Sequence, residues 1–129
     1  MSKIILAIKS EFVERILRKE KLFEFRKRIP QQSVDEIFIY CTYPVMKVVA
    51  SVKVKNVISG SPSAVWEQTK HAAGISRKLY RQYFTNTKVA YAFVLGDVTY
   101  YDNPMDISAF GLKTAPQSFA YVKEKNSQT

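Results

Sequence analysis

The sequence has few of the residue types that build disulfides, metal sites or phosphate-binding loops. Cys41 is the only cysteine, so no internal disulfide can form, and His71 is the only histidine. A structural zinc site draws on several Cys or His ligands, and the four glycines lie singly rather than in a glycine-rich loop. We therefore expect neither a metal site nor a cofactor. A Cys41–His71 catalytic pair is disfavoured because Cys41 lies in an apolar strand pattern.

Long apolar runs are also missing. Residues 4–8 are apolar, but Lys9 ends this run, which is too short for the core of a signal peptide. No apolar run approaches the ~18 residues of a membrane-spanning helix. The sequence therefore favours a cytoplasmic protein without a membrane partner. Its length predicts one domain over residues 1–123, followed by a polar tail over residues 124–129.

Positive charge is abundant. Twenty Lys and Arg face eleven Asp and Glu, which gives a formal charge of +9. Such a charge attracts phosphates and speeds encounter with nucleic acid. Eight Phe, eight Tyr and one Trp could also stack on bases. We therefore expect RNA or a nucleotide as the partner, although a basic surface can also serve solubility alone.

The hydrophobic pattern predicts five or six strands, one early helix and a late helical pair. Ser10 is the expected N-cap of the early helix, because serine oxygens accept from free backbone N–H groups. Ser61 followed by proline indicates the start of the second helix, and Gly74 its end. Ser76 is the expected cap of the third. The fold class is mostly β with flanking helices (α+β), and a small, partly open barrel fits best.

One charged stretch, residues 21–28, predicts a strand with two distinct faces. Side chains alternate along a strand, so Phe23 and Phe25 would point into a core. Glu24, Arg26 and Arg28 would share the opposite face. A carboxylate and two guanidiniums in a row indicate a site for a polar ligand, whereas a purely structural ion-pair cluster is the alternative.

With this motif in place, the chain resembles the ASCH domains, a branch of the PUA-like superfamily. The family signature is G-x-K-x-x-E-x-R after the first helix, and Lys21, Glu24 and Arg26 match its charged positions. Lys19 stands where the glycine usually lies, and lysine is disfavoured at the positive φ that glycine allows. The late stretch 116–119, Pro-Gln-Ser-Phe, is similar as well.

This resemblance implies a PUA-like pseudo-barrel of five to six strands, with an RNA- or nucleotide-binding basic cleft around the motif. Some ASCH proteins are hydrolases, of the acetylcytidine amidohydrolase or ribonuclease type. The amidohydrolase type uses a lysine and a threonine three residues later, where this chain has Glu24. A hydrolase of modified nucleosides or RNA, with Lys21 and Glu24 as acid and base, is therefore the alternative function. A regulatory protein-interaction module is the second.

The other candidate residues each have a structural alternative. Tyr40 and Tyr43 could stack a base or pack in the core, and Lys53 could contact phosphate or lie on a solvated strand face. Gln117 and Ser118 could hydrogen-bond a base or sugar, or close the barrel. The catalytic prediction is Lys21 and Glu24, if the protein is an enzyme. The predicted ligand-binding set is Lys21, Glu24, Arg26, Arg28, Tyr40, Tyr43, Lys53, Gln117 and Ser118. The sequence does not indicate an oligomeric state.

Overall fold

A computed structural model describes residues 1–122 as a single curled sheet of six strands with helices on its flank. The strand order is β2-β5-β4-β3-β1-β6, and β1 and β3 run parallel while the other paired strands are antiparallel. The strands are β1 (Ser2–Ile8), β2 (Phe23–Arg26), β3 (Val34–Cys41), β4 (Lys47–Gly60), β5 (Ala90–Met105) and β6 (Phe119–Tyr121). The predicted tail, residues 124–129, and residue 123 of the predicted domain lie outside the described residues.

The early helix and the late helical pair are confirmed. They are α1 (Ser10–Leu17), α2 (Pro62–Thr69) and α3 (Arg77–Tyr83), with short 3-10 turns at Lys70–Ala72 and Ile107–Phe110. Two predicted caps are confirmed, because Ser61 Oγ accepts from the N–H of Ala64 at 3.2 Å and Ser76 Oγ from that of Leu79 at 3.1 Å. The prediction for Ser10 is wrong. Lys9 is the N-cap of α1, and Ser10 is already helical.

The main hydrophobic core lies between the sheet and α1. Ile4, Ile37 and Val52 from β1, β3 and β4 are almost completely buried, and Val13 and Ile16 of α1 pack against them. A smaller core lies under the helical pair. There the predicted inward residues of β2, Phe23 and Phe25, pack with Val65, Tyr80 and Phe84. The helical pair thus covers the β2 end of the sheet.

Strand β2 is shorter than the predicted strand over residues 21–28. It ends at Arg26, pairs only with β5, and leaves Arg28 exposed beyond its end. Before β2, the backbone N–H of Leu22 donates to Ala72 O at 3.0 Å, outside any sheet. The N–H of Lys21 donates to Arg15 O of α1 at 3.0 Å, and Leu22 O accepts from the N–H of Leu95 in β5 at 3.0 Å. Lys21 is therefore held between α1, the turn that follows α2 and the start of the β2–β5 pairing.

Strands β4 and β5 form a long, bent ribbon. The register shifts between the pairs Val52–Val98 and Val54–Leu95, close to Gly96, and an isolated glycine inside a strand favours such a bulge or bend. Strand β5 continues through Pro104 to Met105. Proline is tolerated there because β2 pairs with residues 91–94 of β5, and no other strand of residues 1–122 covers that edge of its far half.

Candidate functional site

Lys21 lies in an almost closed environment at the base of a cleft. Its side chain is only 3% exposed, and Nζ donates a hydrogen bond to Ala73 O at 2.8 Å. Nζ also lies 5.4 Å from the ring centre of Phe12 and 4.8 Å from that of Phe25. Burial lowers the pKa of Lys21 from 10.5 to about 8, with Glu24 opposing this shift. The amine therefore loses its proton at a pH much closer to neutral than an ordinary lysine does, although it is still mostly protonated at pH 7.

Gly74 makes this position of Lys21 possible. Its φ is +66°, and a β-carbon on residue 74 would lie 2.3 Å from the β-carbon of Lys21. The guanidinium of Arg15 donates to Gly74 O at 2.8 Å and holds the same turn from α1. Gly74 thus ends the helical segment as predicted and also leaves the space that Lys21 occupies.

Glu24 and Arg26 form a partly buried ion pair on β2. Arg26 Nε donates to Glu24 Oε2 at 3.1 Å, and Arg26 Nη2 lies 2.9 Å from the same oxygen. Nη2 also donates to Ala7 O of β1 at 3.0 Å. Strands β1 and β2 are not neighbours in the sheet, so the Arg26 side chain spans the gap between them.

These three charged side chains line a cleft of about 510 Å³, a size typical of ligand sites. Its walls are mainly apolar and come from α1, from the turn before α3 and from α3 itself. The complete lining is Ala7, Ile8, Lys9, Glu11, Phe12, Lys21, Glu24, Phe25, Arg26, Ile75, Leu79, Gln82 and Tyr83. Three cations and two carboxylates give this lining a formal charge of only +1. Most of the chain's +9 charge therefore lies outside the cleft.

Four of the predicted ligand residues lie away from this cleft. Arg28 is exposed beyond β2, and Tyr40 is only 6% exposed in a core cluster with Ile5. Tyr43 is 80% exposed in the turn after β3, and Lys53 on β4 lies 3.7 Å from a carboxylate oxygen of Glu36. None of the four lines the cleft, and their ligand roles stay predictions.

Gln117 and Ser118 lie immediately before β6. In this strand Phe119 pairs with Leu6 of β1, so the next step of the same antiparallel register brings Ser118 towards Ala7. Ala7 lines the cleft and accepts the hydrogen bond from Arg26. Ser118 is partly buried and Gln117 is exposed. Neither is among the residues that line the cleft, and their ligand roles also stay predictions.

Sequence reasoning did not find the apolar walls. Phe12, Ile75, Leu79 and Tyr83 line the cleft. The helical spacing of Phe12, Leu79 and Tyr83 indicates only that each shares one face of its helix with other apolar residues. Leu79 and Tyr83 are in fact exposed. Two large apolar residues one turn apart on a short, basic helix are the only local signal that could have marked this wall.

Two features are absent from residues 1–122, namely a cluster of metal ligands and a helix that could cross a membrane. In this part of the chain no three His, Cys, Asp or Glu residues cluster in a way that could hold a metal ion. The same residues contain no helix whose length and apolar character would let it cross a membrane.

Known structures decide the family. The fold superposes on the crystal structure of ASCH from Zymomonas mobilis with a TM-score of 0.86 and 27% sequence identity, covering 95% of this chain and 89% of that one. A tyrosine-to-phenylalanine variant of the same protein gives a TM-score of 0.87 at 26% identity, covering 96% and 92%. The chain belongs to the ASCH family. The expected PUA-like pseudo-barrel is therefore confirmed, although no family model matches the sequence.

Curated relatives of this ASCH protein carry different names. An ASCH domain-containing ribonuclease from Zymomonas mobilis is 33% identical over 94 residues, which cover 72% of this chain and 64% of that protein. The ATP synthase subunit alpha of Ureaplasma parvum is 31% identical over 121 residues, which cover 93% of this chain and 15% of that protein. The chain thus spans less than two thirds of the length of either relative.

Proposed function

We propose that this ASCH protein binds RNA or a nucleotide in the cleft lined by Lys21, Glu24 and Arg26. The observation that carries the proposal is the burial of three charged side chains around one open cleft. Removing an ion from water costs several kcal/mol even after relaxation. A cluster that serves stability alone gains little from keeping such charges beside an open cavity, whereas a polar ligand can use them.

The unused hydrogen-bonding capacity of the cleft suits a nucleobase. Arg26 contacts Glu24 through Oε2, so Oε1 can accept from an amino or imino group of a base. Arg26 contributes Nε and Nη2 to these contacts, which leaves the donors of Nη1 for a base edge or a phosphate. The rings of Phe12 and Tyr83 in the walls can pack against the base.

The charge outside the cleft supports RNA rather than a small neutral ligand. The lining carries +1 of the chain's +9, so most cations are available for a phosphate backbone that extends beyond the cleft. The name of the Zymomonas mobilis relative, a ribonuclease, also supports RNA as the ligand class.

Titration of labelled single-stranded RNA, followed by fluorescence anisotropy at several salt concentrations, tests this proposal. We expect binding that weakens with salt and a further loss of about tenfold for Arg26→Ala, the equivalent of one charged hydrogen bond. Arg18→Ala is the matched control, because it removes an exposed arginine that pairs with Glu14 outside the cleft. Equal affinities of the two variants would remove Arg26 from the site.

A ribonuclease is the second candidate, and the pKa of Lys21 near 8 favours it. In this reaction the RNA 2′-oxygen forms a bond to phosphorus while the bond from phosphorus to O5′ breaks. The Glu24 carboxylate would accept the 2′-hydroxyl proton, and the Lys21 ammonium would donate a proton to O5′. A pKa close to the working pH suits such a proton donor.

Cleavage of the same RNA separates the two functions. If the protein is a ribonuclease, Lys21→Met and Glu24→Gln each lower the cleavage rate by at least about 100-fold, a usual contribution of a general acid or base. The Arg18→Ala protein should cleave like the unaltered chain. Identical background cleavage by all four proteins would leave binding as the function.

A further inference from the structure

A second groove lies between α2 and α3, with a volume of about 270 Å³. Its base is rigid. Tyr80 is 2% exposed and its hydroxyl donates to Pro62 O at 2.7 Å. The ring of Trp66 lies 4.7 Å from that of Tyr80 at an angle of 48°. The partly exposed indole of Trp66 therefore packs against a buried, hydrogen-bonded tyrosine and lines the groove.

Positive charge borders this indole. Arg77 and Arg81 line the groove four residues apart, on one face of α3. Among the ion pairs of residues 1–122, none includes Arg77 or Arg81. Glu67 also lines the groove. Lys70 Nζ donates to its carboxylate at 2.8 Å and is the main cause of its lowered pKa, and the charge of Arg77 lowers that pKa to a smaller extent. The two arginines therefore have charge to offer to an anionic ligand.

We infer that this groove binds single-stranded RNA, with one base stacked on Trp66 and the flanking phosphates on Arg77 and Arg81. A planar aromatic face beside paired guanidiniums is the arrangement by which single strands are held without sequence readout. Lys21, Glu24 and Arg26 do not line the groove, so it is a separate site from the cleft.

The inference rests on the proposed function and specifies its ligand. Helix α3 is the shared wall of the two sites, because Leu79, Gln82 and Tyr83 line the cleft while Arg77 and Arg81 line the groove. A helix with its side chains is roughly 10–12 Å across. A strand that occupies both sites must cross it, so the ligand is an oligonucleotide rather than a mononucleotide.

Trp66 is the only tryptophan, so its fluorescence reports directly on the groove. We expect a short oligouridylate to quench this fluorescence, and uridine monophosphate at the same nucleotide concentration to quench it much less. Replacing both arginines (Arg77→Gln with Arg81→Gln) should weaken binding at least about tenfold and reduce the salt slope by about 1.4, two phosphate contacts on a single strand. The control, Arg18→Gln with Lys78→Gln, removes two exposed charges that do not line the groove.

The outcomes separate this inference from the cleft proposal. Quenching by RNA that persists in Arg26→Ala and weakens in the double arginine variant supports the groove. RNA binding that depends on Arg26, with Trp66 fluorescence unchanged, overturns the groove and leaves the cleft in place. Equal quenching by inorganic tripolyphosphate overturns the stacking of a base. Absence of any RNA binding by anisotropy overturns both.

Discussion

Gly74 lies directly against Lys21, and a β-carbon on residue 74 would come within 2.3 Å of the Lys21 β-carbon and 2.9 Å of its α-carbon. The second contact is with backbone, which cannot move aside cheaply. The φ of +66° at Gly74 adds strain for any other residue. We therefore expect Gly74→Ala to lower the free energy of unfolding by more than the ~1–3 kcal/mol of backbone strain alone, measured by urea denaturation.

Gly111 supplies the matched control for that variant. Its φ is +78°, but no atom lies within 4 Å of the position of an added β-carbon. Gly111→Ala should therefore show backbone strain without a clash. If the two variants lose the same stability, the contact between Gly74 and Lys21 contributes nothing, and the position of Lys21 does not depend on the missing side chain.

Lys21 should also make the fold less stable at neutral pH than at alkaline pH. Burial lowers the pKa of Lys21 to about 8 from 10.5, so the folded state disfavours the charged amine. Below pH 8 the amine is charged in both states, and the full cost of burying this charge lowers the stability of the fold. Between pH 8 and 10.5 the folded chain loses the proton first, so this cost disappears as the pH rises. Over this window the stability of the unaltered chain should rise, relative to Lys21→Met, by up to about 3 kcal/mol.

Paired denaturation curves of the two proteins across that pH range measure this difference. Other titrating groups occur in both chains and cancel in the comparison. Lys70→Met is the control, because Lys70 is exposed and its one ion pair within residues 1–122 is with Glu67. A difference between unaltered chain and Lys21→Met that does not change with pH would show that the amine keeps its ordinary pKa.

The sequence predicts local features of this fold better than long-range ones. Ser61 and Ser76 are recognisable caps because capping depends on residues three positions away. The burial of Lys21 depends on Ala73 and Gly74, more than fifty positions along the chain. Alternation along β2 likewise cannot reveal that Arg26 reaches β1, because the curl of the whole sheet brings these strands together.

Tyr40 and Ser10 illustrate the limits of residue type as a signal. Tyrosine suits both base stacking and a core, and in this fold Tyr40 packs with Ile5 and Val48. Serine suits an N-cap, but the chain turns into α1 one residue earlier, at Lys9. Pattern alone does not choose between such alternatives, because tertiary packing decides the backbone path.

Serine-to-alanine substitutions test which serines cap their helices. Ser76→Ala should lower the free energy of unfolding by about 1 kcal/mol, because the N–H of Leu79 loses its acceptor. Ser61→Ala should have a similar effect through Ala64. Ser10→Ala should be close to neutral, because Ser10 lies inside the helix and makes no cap. A loss for Ser10→Ala as large as that for Ser76→Ala would contradict the observed start of α1.

The Glu24–Arg26 pair allows a double-mutant cycle that separates stability from ligand binding. Arg26→Met leaves a mostly buried carboxylate without its guanidinium and frees Ala7 O, so we expect a loss of about 3–5 kcal/mol. Glu24→Met leaves the more exposed Arg26 and should cost less. When both residues are replaced, much of the lost stability should be regained, because two methionines fill the space without burying a charge.

The same double variant should lose RNA binding even as it regains stability. Two apolar side chains can replace the packing of a purely structural ion pair, but they cannot replace the contacts that such a pair makes with a polar ligand. Urea denaturation and RNA anisotropy on the four proteins of the cycle measure both quantities. If the double variant regains both stability and RNA affinity, the Glu24–Arg26 pair has a structural role in joining β1 and β2. If it regains stability alone, the pair serves to bind the ligand.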